Sequence, residues 1–137
     1  MLGGQLLREE VEPTAESIAD FLIIVRLVGI FEAAAAGGVA LAATLKGTNA
    51  VAATFTGDGS TSEGDFHVSM NFAAVAKAPC VLICQNNQWA ISTPGVLQTA
   101  AETIALKGLG YGLESLRADG NDVFAVHEVC RYAADKA

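Results

Sequence analysis

Positive charge is scarce in this chain, and nothing organises what there is. Eight Lys and Arg stand against fifteen Asp and Glu, for a net charge of −7 over 137 residues, and the cations form no stripe. That excludes the electrostatic footprint of a nucleic-acid binder. No G-K-[ST] occurs, which excludes a Walker loop, and Gly57-Asp58-Gly59-Ser60-Thr61-Ser62 lacks the third glycine of G-x-G-x-x-G, which disfavours a generic dinucleotide site. Cysteine is limited to Cys80, Cys84 and Cys130, an odd number, mostly on apolar stretches. Such thiols fit a reduced core inside a cell; as metal ligands Cys80 and Cys84 would need partners that are not nearby. The two histidines, His67 and His127, do not stand with the acid and nucleophile that a triad requires, so both read as structural or interface residues. Apart from an alanine run, repeats and low complexity are absent.

What the chain has in quantity is apolar surface. Hydrophobic residues make up 52% of it, and its mean hydropathy is positive. One domain of this length can bury a real core. The excess implies that a partner covers part of the surface.

Two apolar runs organise the rest. Val51-Ala52-Ala53-Thr54-Phe55-Thr56 is β-branched and ends in glycine; Cys80-Val81-Leu82-Ile83-Cys84 is continuous and follows Pro79. Both read as strands buried on both faces, as in a parallel sheet. Between them Phe66, Met70, Phe72, Ala73, Val75 and Ala76 recur at roughly helical spacing over 64–77, and Ser62 stands before Asp65 in the S-x-x-D pattern of a helix start. Strand, turn, helix and strand make a βαβ unit.

Parallel strands place their carboxyl ends on one edge, where ligands of open α/β sheets collect. Asp58 and Asn87 each lie just past a strand and so converge there. The carboxylate of Asp58, the amide oxygen of Asn87 and a main-chain carbonyl at Trp89 form a hard-oxygen set suited to Mg²⁺, which takes few ligands from protein and the rest from phosphates and water. Gly57 and Gly59 permit close backbone approach, and free N–H groups at the start of the 64–77 helix suit an anion.

Gly57-Asp58-Gly59 followed by Asn86-Asn87 resembles the thiamine diphosphate motif. Its surroundings, Ser60-Thr61-Ser62-Glu63-Gly64-Asp65-Phe66-His67, Asn71-Phe72-Ala73-Ala74-Val75 and Gln85-Asn86-Asn87-Gln88-Trp89-Ala90-Ile91-Ser92-Thr93-Pro94, are similar to the α subunit of the E1 component of 2-oxoacid dehydrogenase complexes, of pyruvate or branched-chain type. Asp119-Gly120-Asn121-Asp122-Val123 is similar to a later landmark of that subunit, and the resemblance covers about residues 28–137. It implies an open, mostly parallel α/β sheet with flanking helices: the diphosphate-binding half of a thiamine-diphosphate-binding fold, cut short. It implies Mg²⁺ on Asp58, Asn87 and the Trp89 carbonyl, diphosphate on N–H groups around Gly59 and Ser60, and further cofactor contacts from Gly57, Gln85, Ala90, Ile91 and a loop near Gly29. None of these breaks bonds; they anchor the cofactor.

The implied activity is oxidative decarboxylation of a 2-oxoacid with acyl transfer to a lipoyl arm. The implied partners are an E1 β subunit in an α2β2 heterotetramer and the E2 lipoyl acyltransferase, in the cytoplasm or, in a eukaryote, the mitochondrial matrix. Family α subunits are longer, and their phosphate-binding histidine lies beyond the segment matched here, so this chain alone is expected not to turn over substrate. The alternative is a non-catalytic truncated or assembly module that keeps the fold without cofactor.

The remaining segments read more plainly. Residues 1–20 carry Glu9, Glu10, Glu12, Glu16 and Asp20 against Arg8, an acidic arm with none of the basic start of a signal peptide, ahead of a domain at 21–137. Residues 21–45 are apolar enough to raise a membrane helix, but Arg26 and Glu32 oppose it, each central charge costing about 2.5–3.5 kcal/mol. The better reading is a strand or loop at 21–28, then a small-residue helix over 32–46 ended by Lys46-Gly47. Glu32 reads as a first-turn charge favoured by the helix dipole; in the resembled family the ring-activating glutamate comes from the β subunit. Where that family has glutamine and proline entering the helix, this chain has Phe31-Glu32-Ala33-Ala34. Residues 90–94 are expected to line the cofactor. A short helix over 101–108, a third strand-like piece over 111–117, an Asp122 N-cap and an amphipathic helix over 123–136 complete the chain.

Overall fold

A computed structural model describes residues 20–24 and 32–137, with side chains from residue 36 onward. Residues 1–19 of the expected acidic arm and the loop near Gly29 lie outside the described residues. The elements run β1 (Asp20–Ile24), α1 (Glu32–Leu45), β2 (Ala52–Gly57), a 3-10 turn (Asp58–Ser62), α2 (Gly64–Ala76), β3 (Cys80–Asn86), β4 (Trp89–Ala90), β5 (Thr93–Pro94), a second 3-10 turn (Gly95–Leu97), α3 (Ala105–Leu109), β6 (Ser115–Asp119) and α4 (Val123–Lys136).

Four strands form the main sheet in the order β2-β3-β1-β6. β2 and β3 are parallel, from Ala52 opposite Cys80 to Gly57 opposite Gln85. β1 is antiparallel to both β3 and β6, so β2, β3 and β6 share one direction and β1 is the reversed strand among them. The result is an open α/β sheet with flanking helices, as expected; three of its four strands share one direction, and the reversed β1 between β3 and β6 makes it mixed where a mostly parallel sheet was expected.

β3 is the spine. Its odd and even positions separate the molecule into two cores, as strand geometry requires. Leu82 and the two cysteines, Cys80 and Cys84, join Ala40 of α1, Phe66, Met70 and Ala73 of α2, and Ala105 of α3. Val81 and Ile83 point the other way and meet Ala133 of α4, with Val129 and Cys130 at the margin.

β2 departs from expectation. Thr54 and Thr56 are buried, whereas Phe55, the strand's aromatic residue, is 55% exposed. The register explains the inversion: Thr54 and Thr56 stand beside Leu82 and Cys84 on the face covered by α1 and α2, while Phe55 stands beside Ile83 on the face where α4 covers β3. β2 lies at the sheet edge, beyond the reach of α4. The apolar spacing of α2 also misleads in part, since Phe66, Ser69, Met70 and Ala73 are buried but Phe72 and Val75 are exposed.

Helix ends follow local chemistry. α1 stops at Gly47, whose φ of +67° suits glycine; Thr48 N–H reaches the Ala43 carbonyl and Gly47 N–H the Thr44 carbonyl, both at 3.0 Å. Asp122 caps α4, its carboxylate accepting from Phe124 N–H at 2.9 Å and Ala125 N–H at 3.2 Å. The expected Ser62 cap of α2 does not form. Glu63 is the N-cap residue, without a side-chain bond, and the Ser62 hydroxyl donates instead to the Gln98 carbonyl at 3.2 Å. Among the described residues no helix is long and apolar enough to cross a membrane.

Candidate functional site

Because β2 and β3 are parallel and in register through Gly57 and Gln85, the segments that follow them leave the sheet on the same edge. There the 3-10 turn after β2 faces the β4–β5 hairpin after β3. An open cleft of about 360 Å³ lies between them, lined by Gly57, Asp58, Gly59, Ser60, Glu63, Asn87, Trp89 and Ala90. Seven of these were singled out from the sequence; Glu63 was not. Gln85 and Ile91 do not line the cleft: Gln85 is an exposed residue within β3, and Ile91 is fully exposed at the hairpin tip. Gly29 lies outside the described residues.

Asp58 is the most constrained member. Only 5% exposed, it opens the 3-10 turn, and its main-chain carbonyl accepts from the Thr61 hydroxyl at 2.7 Å. Burial pushes its carboxyl pKa above the ordinary 3.8; hydrogen bonds from its own N–H and those of Asn87 and Gly59 oppose this without cancelling it. No cationic side chain among the described residues helps to hold its charge. A desolvated carboxylate at the wall of a cleft, stabilised by N–H groups alone, is a donor that a cation would complete. Among the described residues no cluster of three or more His, Cys, Asp or Glu could hold a metal ion, so a cation here would depend on one carboxylate with amide and main-chain oxygens.

Asn87 and Asn86 each organise the turn after them, Asn87 Oδ1 accepting from Trp89 N–H and Asn86 Oδ1 from Gln88 N–H, both at 2.9 Å. An amide oxygen has a second lone pair, so this Asx turn orients Asn87 without exhausting it. Gln88 and Ile91 take left-handed backbone, φ 65° and 56°. For β-branched Ile91 that is strained.

The two glycines do different things. A Cβ on Gly59 would sit 2.5 Å from the Ala90 Cβ, so Gly59 is required by the hairpin packing on it. A Cβ on Gly57 would meet nothing within 4 Å, so its hydrogen faces open space at the wall of the cleft. The N–H of Gly59 is engaged by the Asp58 carboxylate, leaving Ser60 the freer of the two expected diphosphate contacts.

Further groups brace the turn, and no local motif marks them in the sequence. Lys107 of α3 donates to the Thr61 carbonyl at 2.7 Å and its hydroxyl at 2.9 Å. Gln98 accepts from Ser62 and donates through Nε2 to the Thr93 carbonyl at 3.0 Å, tying turn to hairpin. Cys84 lies behind the site as an inert thiol: burial, then the Asp58 charge, push it up to about 12. His67 Nδ1 is 2.8 Å from the Tyr111 hydroxyl, joining α2 to the end of α3, and His127 is exposed beside Glu128. A second cavity of about 390 Å³ shares Asp58 and extends past Thr61 to Glu102 and Arg117.

Fold and cleft together define an α/β domain with an acidic, oxygen-lined recess at the carboxyl edge of its parallel strands. The chain belongs to the family described as "Dehydrogenase E1 component", whose profile matches residues 8–137. It is 50% identical over 102 residues to the pyruvate dehydrogenase E1 component subunit alpha of Staphylococcus aureus, covering 74% of this chain and 28% of that protein. It is 53% identical over 100 residues to the 3-methyl-2-oxobutanoate dehydrogenase subunit alpha of Mycobacterium tuberculosis, covering 73% and 27%. The chain thus matches little more than a quarter of the length of these curated relatives.

Proposed function

We propose that this chain is the cofactor-anchoring part of a 2-oxoacid dehydrogenase E1 alpha subunit, and that the cleft between the 58–62 turn and the hairpin takes Mg²⁺ and the diphosphate of thiamine diphosphate. The observation that carries the reading is the buried, cation-free Asp58 carboxylate at the wall of a cleft shared with Asn87 and Trp89. Asp58, Asn87 and the Trp89 carbonyl would supply hard-oxygen ligands, and diphosphate and water the remainder of the roughly six that Mg²⁺ takes. Glu63 adds a second carboxylate at the rim. The metal must therefore offset acid on the protein as well as charge on the ligand.

When bound, thiamine diphosphate supplies the carbanion and the electron sink that decarboxylation of a 2-oxoacid requires. The residues here bind and orient. Ser60 offers N–H and hydroxyl donors, Gly57 leaves room for the phosphate oxygens, and Ala90 on Gly59 fixes the distance between turn and hairpin. Substrate contacts and acyl transfer to a lipoyl-bearing E2 belong to other segments and to a β subunit, as in an α2β2 assembly. The names of the relatives favour pyruvate or a branched-chain 2-oxoacid as substrate class.

Calorimetric titration with thiamine diphosphate and Mg²⁺, in the wild type and in Asp58→Ala, tests the site. Heat in the wild type that vanishes in the variant is expected; equal heats in both would remove the assignment. A second reading, an assembly module without cofactor, is favoured by the uncovered apolar side chains, among them Phe55, Val68, Phe72, Val75 and Leu97. It requires association with a β-type subunit while the cleft stays empty.

A further inference from the structure

The turn that carries Asp58 is held from its other side by a half-buried lysine. Thr61, only 1% exposed, is not among the residues lining the proposed cofactor cleft. Lys107 Nζ reaches both its carbonyl and its hydroxyl, and that hydroxyl donates onward to the Asp58 carbonyl at 2.7 Å. A continuous hydrogen-bonded chain therefore runs from α3, through the turn, to the backbone of Asp58, which lines the cleft.

Neutral donors could brace a turn equally well, and an ammonium is costly to bury. Burial pulls the Lys107 pKa down, and no carboxylate among the described residues forms an ion pair with it. A half-buried charge matched only by neutral oxygens gains its compensation when an anion arrives nearby. We propose that Lys107 is a positioning residue for the diphosphate site: it fixes the 58–62 turn so that Asp58 presents its carboxylate to the metal, and its charge favours an anionic ligand across the turn. The inference rests on the cofactor reading above. Lys107 touches Thr61, and its effect on the ligand is transmitted through that contact and through its field.

Three substitutions, read by hydrogen exchange and by cofactor affinity, test this. In Lys107→Met, hydrogen exchange of the ligand-free protein should quicken at the Glu63 amide, which donates to the Ser60 carbonyl at 3.2 Å, while α4 amides stay unchanged. Its Kd for Mg²⁺ with thiamine diphosphate should rise roughly ten- to a hundredfold, the range for losing charge-assisted hydrogen bonds. Lys107→Arg, which keeps charge and donors, should recover most of that loss. Thr61→Val, which keeps the charge and removes the hydroxyl, should lose less affinity than Lys107→Met and also covers the case in which Lys107→Met does not fold. Unchanged exchange in Lys107→Met, or no recovery of affinity in Lys107→Arg, overturns the proposal. A wild type that binds no cofactor defeats the cofactor reading instead, and exchange at Glu63 then still decides whether Lys107 holds the turn.

Discussion

At the scale of single residues, the two glycines flanking Asp58 make opposite predictions. Gly57 has φ −87° and ψ 161°, a conformation open to alanine, and a Cβ there meets no protein atom. Gly57→Ala should therefore raise stability by about 0.4–1 kcal/mol through the unfolded chain, while weakening binding of diphosphate in the cleft. Gly59→Ala should cost about 1–3 kcal/mol by forcing Ala90 aside. Urea unfolding of the two proteins, followed by cofactor titration of Gly57→Ala, separates packing from ligand space.

Asp58 carries a pH signature of its own. Its folded pKa is raised, so the folded protein holds this proton more tightly than the unfolded chain, and stability from this group is lost as pH rises from 3.8 through the raised value. A bound cation favours the ionised form and should abolish that loss. Thermal melts across the acid range, with and without Mg²⁺ and thiamine diphosphate, should show wild type declining relative to Asp58→Asn only when ligand is absent.

At the scale of elements, much of the architecture was legible because local chemistry and pattern agreed. The burial of β3 on both faces, the glycine end of α1 and the Asp122 cap of α4 each follow from a few neighbouring residues. Asp122→Ala should cost about 1 kcal/mol in urea unfolding, with the loss concentrated in α4. What was not legible depended on distant partners. Whether Phe55 is inside turns on how far α4 extends over the sheet, and the diversion of Ser62 from α2 to Gln98 depends on a loop far along the chain. The same holds for the site. Asp58, Asn87 and the glycines stood out because turn and strand ends have characteristic residues, whereas Lys107 and Gln98 are ordinary residue types whose importance lies in a contact.

At the scale of the molecule, apolar side chains remain in the open on several elements. Phe55 on β2, Val68, Phe72 and Val75 on α2, Trp89 and Ile91 on the hairpin, and Val96 and Leu97 after it are all more than half exposed. Exposed surface of this kind marks an interaction face or an aggregation liability. Co-expression with a β-type subunit should yield a heteromer on gel filtration and reduce binding of a hydrophobic dye; a chain that stays alone and dye-binding contradicts the α-subunit reading. An acidic molecule whose buried carboxylate lacks a cation is also expected to gain more from Mg²⁺ with diphosphate than from diphosphate alone.

The proposed site has a definite position: a divalent ion taken up with thiamine diphosphate would lie between the ends of β2 and β3. Paramagnetic broadening reports that position directly, with Mn²⁺ replacing Mg²⁺ in the presence of thiamine diphosphate and amide resonances assigned. Signals of Gly59, Ser60, Asn87 and Trp89 should vanish first, α4 should stay sharp, and Asp58→Ala should restore the lost peaks. Broadening centred anywhere else, or unchanged in Asp58→Ala, would contradict the account.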